Sequence, residues 1–271
     1  MLKKKLTCLF IITILIFSIF LLKKKIDSIR NEHGLNIAKY TPSESVPILL
    51  LGGFRSIAID LLWIRGMAKH QEKKYYETMA INNLIAKLQP DFSAVWSFQA
   101  WNMAYNIAHE CKSYATKWKW IKAGIDFAKE GAVKNPASAD ILFELGYMYL
   151  HLFSSKTFKH ADYCRKRLYE DFNENNFVEA VYWLKKVRQF ESKNYNKSAM
   201  QRVICHAWRK AALQAEKDGR LKDAVNYSTQ SIDEWNAYLV DFPDDPLSKA
   251  KHFIPLIEQK REEIKKRLDN Y

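Results

Sequence analysis

Glycine and proline are scarce in this chain, 8 and 7 of 271 residues, and no run of alternating Val, Ile and Thr recurs. So few turn residues cannot serve the many hairpins of a β-sandwich or barrel, and only Ile48-Leu49-Leu50-Leu51 reads as a short strand. Beyond the N-terminal region, Cys111, Cys164 and Cys205 are odd in number and lack paired spacing, unlike a disulfide framework. There is no CxxC, HExxH or HxxxH pattern, so the spacings that assemble a zinc site are missing. Gly52-Gly53 lacks the Gly-Lys-Ser/Thr ending of a phosphate loop and reads as a turn before a helix. A clustered basic stripe is also missing. Of the net charge of +13, six basic residues flank one apolar run, and the rest are scattered among acids. Nucleic acid is therefore not expected as a partner, and a basic surface above anionic lipid accounts for the charge.

What the chain does have is apolar and aromatic side chains, 48% and 14% of residues, enough for a substantial core. Leu6–Leu22 is free of charge and bracketed by Lys3-Lys4-Lys5 and Lys23-Lys24-Lys25. As a helix it would be about 25 Å long, at the short end of a bilayer span, and the flanking lysines can snorkel to extend it. No small-x-small cleavage site follows, so residues 1–25 read as an uncleaved membrane anchor. A short head before a single span places the large domain on the extracytoplasmic side, in the periplasm where there is one. The unpaired cysteines are the argument for the alternative, a cytoplasm-facing domain. Residues 26–54 read as a stalk and entry loop, and residues 55–271 as a helical domain.

Within that domain, apolar periodicity predicts helices from about Arg55 to His70 and from Lys74 to Leu88, the second stopped by Pro90. Trp96 and Ala100 take the large and small positions of the next pair, which closes at Pro136 with a long connection over His109 to Thr116. Leu142, Leu145 and Tyr149 then share one helix face, with Gly146 at the closest crossing of a partner helix. That partner is expected to start near His160. Phe177 to Phe190 reads as an additional amphipathic helix. Trp208, Ala211, Ala212, Gly219 and Ala224 mark a fourth pair, and the charged stretch from Gln259 to Arg267 suits a terminal cap.

The set Leu142-Phe143-Glu144-Leu145-Gly146-Tyr147-Met148-Tyr149 resembles the first helix of a tetratricopeptide (TPR) repeat. Residues 55 to the end resemble a TPR domain of irregular repeat length. The Gly52-Gly53-Phe54-Arg55 entry with Ala58, Asp60 and Trp63, together with Leu88-Gln89-Pro90 and Trp101-Asn102-Met103-Ala104-Tyr105-Asn106, is similar to an uncharacterised group of bacterial single-pass membrane-anchored TPR-like proteins. The fold class expected is all-α, an irregular TPR-like solenoid on an N-terminal transmembrane helix.

The resemblance implies a concave groove lined by first-helix residues. By register these are Asp60, Trp63, Met67 and His70, then Ser97, Trp101 and Tyr105. Asp140, Phe143, Tyr147 and His151 follow, and last His206, Arg209, Leu213 and Glu216. From these, Asp60, Trp63, Trp101, Tyr105, Tyr147, His151 and Arg209 are expected to bind a partner, aromatics and arginine being the residue types that anchor interfaces. At least half of the groove set is expected to serve as core between repeats. Asp60, in an apolar series five residues after Arg55, is expected to pair with it. His109-Glu110-Cys111 and Cys205-His206 are neighbours in sequence, so their side chains diverge on a helix and suit neither a metal nor a nucleophile pair. The expectation is a scaffold that grips a protein or peptide, with no cofactor. The alternative is a membrane-tethered hydrolase or transferase using the groove's His and Asp residues.

Overall fold

The computed structural model describes residues 18, 22, 25, 51, 54–190, 195–246 and 248–270. All regular structure among them is helical. Residues 48–50 of the expected strand, the Gly52-Gly53 turn and nearly all of the Leu6–Leu22 run lie outside these residues, and Leu51 is helical. None of the described helices is long and apolar enough to cross a membrane.

Two compact units divide after Leu61, inside helix α1 (Arg55–Gln71). In the first, Ile59 is buried and Asp60 is exposed. The expected Arg55–Asp60 pair is not formed: no ion pair joins them among the described residues. Five residues correspond to about 140° around a helix, and water solvates the exposed carboxylate at less cost than a strained bridge.

The second unit is a succession of helix pairs. Helix α2 (Tyr75–Leu88) ends ahead of Pro90, where the chain loses a backbone donor. Helix α3 (Ser93–Trp101) continues without a break through a π-helical segment, Asn102–Ile107, into α4 (Ala108–Glu110). The connection expected to be long is thus mostly helix. Only residues 111–113 separate α4 from α5 (Tyr114–Lys134), whose first turn is capped by Ser113 accepting from the Thr116 N–H at 3.1 Å. Helix α5 lies along α3 and the π segment. The two ends of this pair are tied at one atom, the Pro90 carbonyl oxygen. It accepts from Trp96 Nε1 at 3.0 Å and from Asn135 Nδ2 at 2.8 Å.

Helix α6 (Ala139–His151) carries the strongest TPR-like signature, and here the structure corrects the expected pairing. Its main partner is α8 (Asn176–Arg188), not α7 (Ala161–Phe172), the helix that starts near His160. Gly146 explains why. A Cβ built there would lie 2.7 Å from Leu184 Cγ and 3.4 Å from the Ala180 carbonyl oxygen, so the helices cross where one has no side chain and the other offers alanine. Helix α7 is dense in charge and buries only Ala161, Cys164 and Leu168. It docks on α5 instead, with Trp118 Nε1 donating to Asp171 at 3.2 Å and Lys122 lying 4.7 Å over the Phe172 ring. Asn175 caps α8 by accepting from the N–H groups of Phe177 and Val178.

Helices α9 (Lys197–Lys217) and α10 (Leu221–Asp241) form the most extensive pair, turned at Gly219, whose φ of 75° is a left-handed conformation that glycine adopts without strain. Helix α11 (Ala250–Asp269) packs on α10 around Trp235, Tyr238 and Ile257.

Candidate functional site

Groove-register residues from two successive helix pairs meet as one aromatic strip. On α3 and the π segment, Trp101 stacks on Tyr105 with ring centres 4.6 Å apart. Tyr105 lies 5.7 Å from His151 at the end of α6, and its hydroxyl shares a hydrogen bond with His151 Nδ1 at 3.3 Å. One turn back along α6, Tyr147 stacks on His151 at 5.1 Å, and Phe143 lies 6.4 Å from Tyr147 with its ring nearly parallel. Residues at i, i+4 and i+8 of α6 thus form a ladder that the π segment joins from the preceding pair.

The π turn determines that join. Its wider winding changes the angular step between Trp101 and Tyr105, and such segments often accompany functional sites. The opposite face of the same segment meets Gly124 of α5, where an added Cβ would stand 2.6 Å from the Ala100 carbonyl oxygen and 2.8 Å from Ala104 Cβ. Close packing behind and an open aromatic face in front leave this segment little freedom.

The strip is accessible. Trp101 is 43% exposed and Tyr147 39%, whereas core aromatics such as Trp96 and Tyr149 are at 2% and 0%. It also carries buried polarity. Glu144 Oε1 has no hydrogen-bond partner, and burial raises the Glu144 pKa. Burial also raises the Tyr105 pKa, with Glu144 and Tyr147 adding to the effect, so the Tyr105 hydroxyl stays protonated at neutral pH. The strip is therefore a face of flat rings with hydrogen-bonding edges.

Family models, curated proteins and solved structures yield no match to this chain. The site stands on its own geometry.

Two additions escaped the sequence reading. Phe158, in the loop after α6, lies 5.3 Å edge-on to His151 and 6.4 Å from Tyr105. Tyr195 lies 4.7 Å from Phe143 and donates to Asp140 Oδ1 at 2.7 Å, so the chain's own side chain covers that end of the strip. Each is a lone aromatic in a polar stretch, and that isolation was the one sequence signal available.

The remaining candidates lie elsewhere. Trp63 sits edge-on to Phe98 at 5.2 Å, beside a separate cavity. Arg209 lies 5.0 Å over the Phe253 ring on α11, next to His206, which is packed edge-on between Trp235 and Phe253. Asp60 belongs to the first unit. Cys205 is fully buried, and burial raises its thiol pKa. Cys111 donates to the Ile107 carbonyl oxygen at 3.3 Å, while Glu110 pairs with Lys73 at 3.3 Å.

Proposed function

We propose that residues 55–271 form an irregular TPR-like solenoid that holds a partner protein or peptide at a membrane surface, tethered by residues 1–25, as a complex subunit or assembly factor. The observation that carries this reading is the half-exposed strip of Trp101, Tyr105, His151, Tyr147 and Phe143. Five flat side chains from consecutive helix pairs lie in ring contact without being sealed into the core. Aromatics lose few rotamers on binding and bury large areas, which makes them suited to hot spots. A helix or extended peptide lying along the strip would cover Trp101 and Tyr147 and meet the hydrogen-bonding edges of Tyr105 and His151. We propose Trp63, Asp60 and Arg209 as further partner contacts in addition to the strip.

The alternative, a membrane-tethered hydrolase or transferase, needs its acid and base in hydrogen-bonding reach. Among the described residues His151 bonds to Tyr105, and no hydrogen bond joins His70, His151 and His206 to one another. This favours the scaffold. We place the soluble domain in the periplasm, with a cytoplasmic domain as the alternative, and no cofactor enters the reading.

The test is the double variant Trp101→Ala, Tyr147→Ala in the full chain, crosslinked in its native membrane. Truncating an anchor costs about 2 kcal/mol or more, so two losses would weaken capture by roughly a thousandfold if additive. Circular dichroism on the same sample should show unchanged helix content. Undiminished capture by a folded double variant would remove the strip as the working surface.

A further inference from the structure

A second site lies beside the strip, where α1, α2 and α3 enclose a cavity of about 220 Å³. Its rim is apolar and open, with Met67 and Phe98 exposed and Trp63 edge-on to Phe98. Its floor is polar and sealed. Asn82 is 3% exposed and Gln99 1%, yet Asn82 Nδ2 and Gln99 Oε1 have no hydrogen-bond partner. Of the other polar groups in the lining, His70 Nδ1 is likewise buried without a partner and can donate or accept by tautomer, while two others are engaged. Asn102 Oδ1 accepts from Asn106 Nδ2 at 2.9 Å, and Thr78 donates to the Lys74 carbonyl oxygen at 3.2 Å. Buried carboxamides are almost always hydrogen-bonded, so two unspent ones on residues lining one cavity point to a polar ligand there.

The occupant's chemistry follows from what is unspent. Asn82 offers a donor and Gln99 an acceptor at the base of a pocket with aromatic walls. A carboxylate would satisfy Asn82 and repel the Gln99 oxygen, an ammonium would do the reverse, and a hydrocarbon would satisfy neither. A carboxamide presents an acceptor and a donor on one planar group and answers both. The volume is below the roughly 300 Å³ at which drug-sized pockets begin, so the occupant is a small amide or a single side chain. We propose that this pocket binds a carboxamide through Asn82 and Gln99, with its apolar part against Trp63 and Phe98. The group could arrive as a free small amide or as a glutamine or asparagine side chain of a docked protein.

Ligand-observed NMR on the full chain in detergent micelles tests this with benzamide, using methyl benzoate as the analogue that accepts but cannot donate. Benzamide should saturate with a Kd of about 1–10 mM, the level a fragment of this size reaches, and the ester should bind at least about tenfold more weakly. Gln99→Leu and Asn82→Leu should each lower benzamide affinity by about tenfold or more while leaving Tm unchanged or raised, because an apolar isostere removes a buried polar group that had no partner. A capped peptide containing glutamine, compared with its methionine counterpart, separates the two sources. Preference for glutamine points to a protein side chain, and benzamide binding without that preference points to a free amide. Equal binding of amide and ester, or no saturation by benzamide below about 50 mM, would overturn the proposal. So would a marked fall in Tm in both leucine variants, which would mean that ordered water satisfies the two groups as structure. The Trp101→Ala, Tyr147→Ala variant should bind benzamide normally, so failure of the strip and failure of the pocket are distinguishable.

Discussion

Helix crossings in this fold are closed by glycine, and a Gly→Ala series gives a stringent test of the packing because the neighbour differs at each site. In a helix interior the substitution gains about 1 kcal/mol from propensity and backbone entropy. At Gly66 that gain should survive, since the new methyl would sit 3.4 Å from Ile81 Cγ2 and 3.7 Å from Asn82 Oδ1, ordinary contact distances. Gly66→Ala should raise Tm by about 2–4 °C, the usual yield of 1 kcal/mol for a domain of this size. At Gly146 the methyl meets Leu184 Cγ and Cδ2 at 2.7 and 2.8 Å, a side chain that can turn within a buried site. Overpacking costs about 1–3 kcal/mol, so Gly146→Ala should be neutral to about 2 kcal/mol destabilising, and Gly146→Leu worse. At Gly124 the obstacle is backbone, Ala100 O at 2.6 Å and Ala104 N at 3.0 Å, and the π segment would have to move bodily. Gly124→Ala should therefore lose about 2 kcal/mol net, or about 4–8 °C in Tm. Thermal denaturation followed by circular dichroism ranks the three. If Gly124→Ala melts at or above the wild type, the close approach of α5 to the π segment described here is wrong.

Acid should destabilise the domain through His206, whose pKa is lowered by burial and then by Arg209, Lys210, Lys249 and Arg202. The unfolded imidazole titrates near 6.5, so below that pH the unfolded state binds the proton first, and stability present at neutral pH is lost as pH falls toward the folded value. His206→Phe, which keeps the ring contacts with Trp235 and Phe253, should flatten the dependence of Tm on pH between about 7.5 and 5.5; an unchanged slope would assign it to other groups. Arg202→Met removes the guanidinium that bonds Tyr238 Oη at 3.0 Å and pairs with the largely buried Asp245, and should cost about 2 kcal/mol by chemical denaturation. The mature protein should retain residues 1–25 and stay in the membrane fraction after a carbonate wash, and an N-terminus beyond Lys25 would contradict the anchor.

The helical class and the positions of most helices were legible from periodicity, because an apolar stripe at 3.6-residue spacing has few other uses. Gly146 was legible as a crossing point for the same reason. What faced it was not. An amphipathic stripe shows that a helix packs, not on what, and choosing the nearest following helix led to α7. The signal that would have corrected it was Ala180 among Phe177, Val181 and Leu184, a small residue in an apolar face, where α7 has charge on most of its surface. The π segment left no trace in Asn102–Ile107, since its winding depends on α5 approaching through Gly124 rather than on local propensity. In the strip, sequence register supplied Trp101, Tyr105, Phe143, Tyr147 and His151. Tyr195 and Phe158 arrive from loops that have no register, and the paired carboxamides of Asn82 and Gln99 become a feature only when two helices meet.

The insertion of α7 bears on the order of assembly. Helices α9 and α10 are joined by residues 218–220, whereas residues 152–175 separate α6 from α8, a connection roughly eight times longer. Closing the longer loop costs about 2 kcal/mol more in chain entropy, on the (3/2)RT ln n scaling. The C-terminal hairpin should therefore nucleate, and α6 should close on α8 late, once α7 has docked on α5 and shortened the search. Until then the face of α6 around Gly146 is unsealed, which makes the interval before α8 arrives the period in which a newly made chain is most exposed to aggregation and proteolysis.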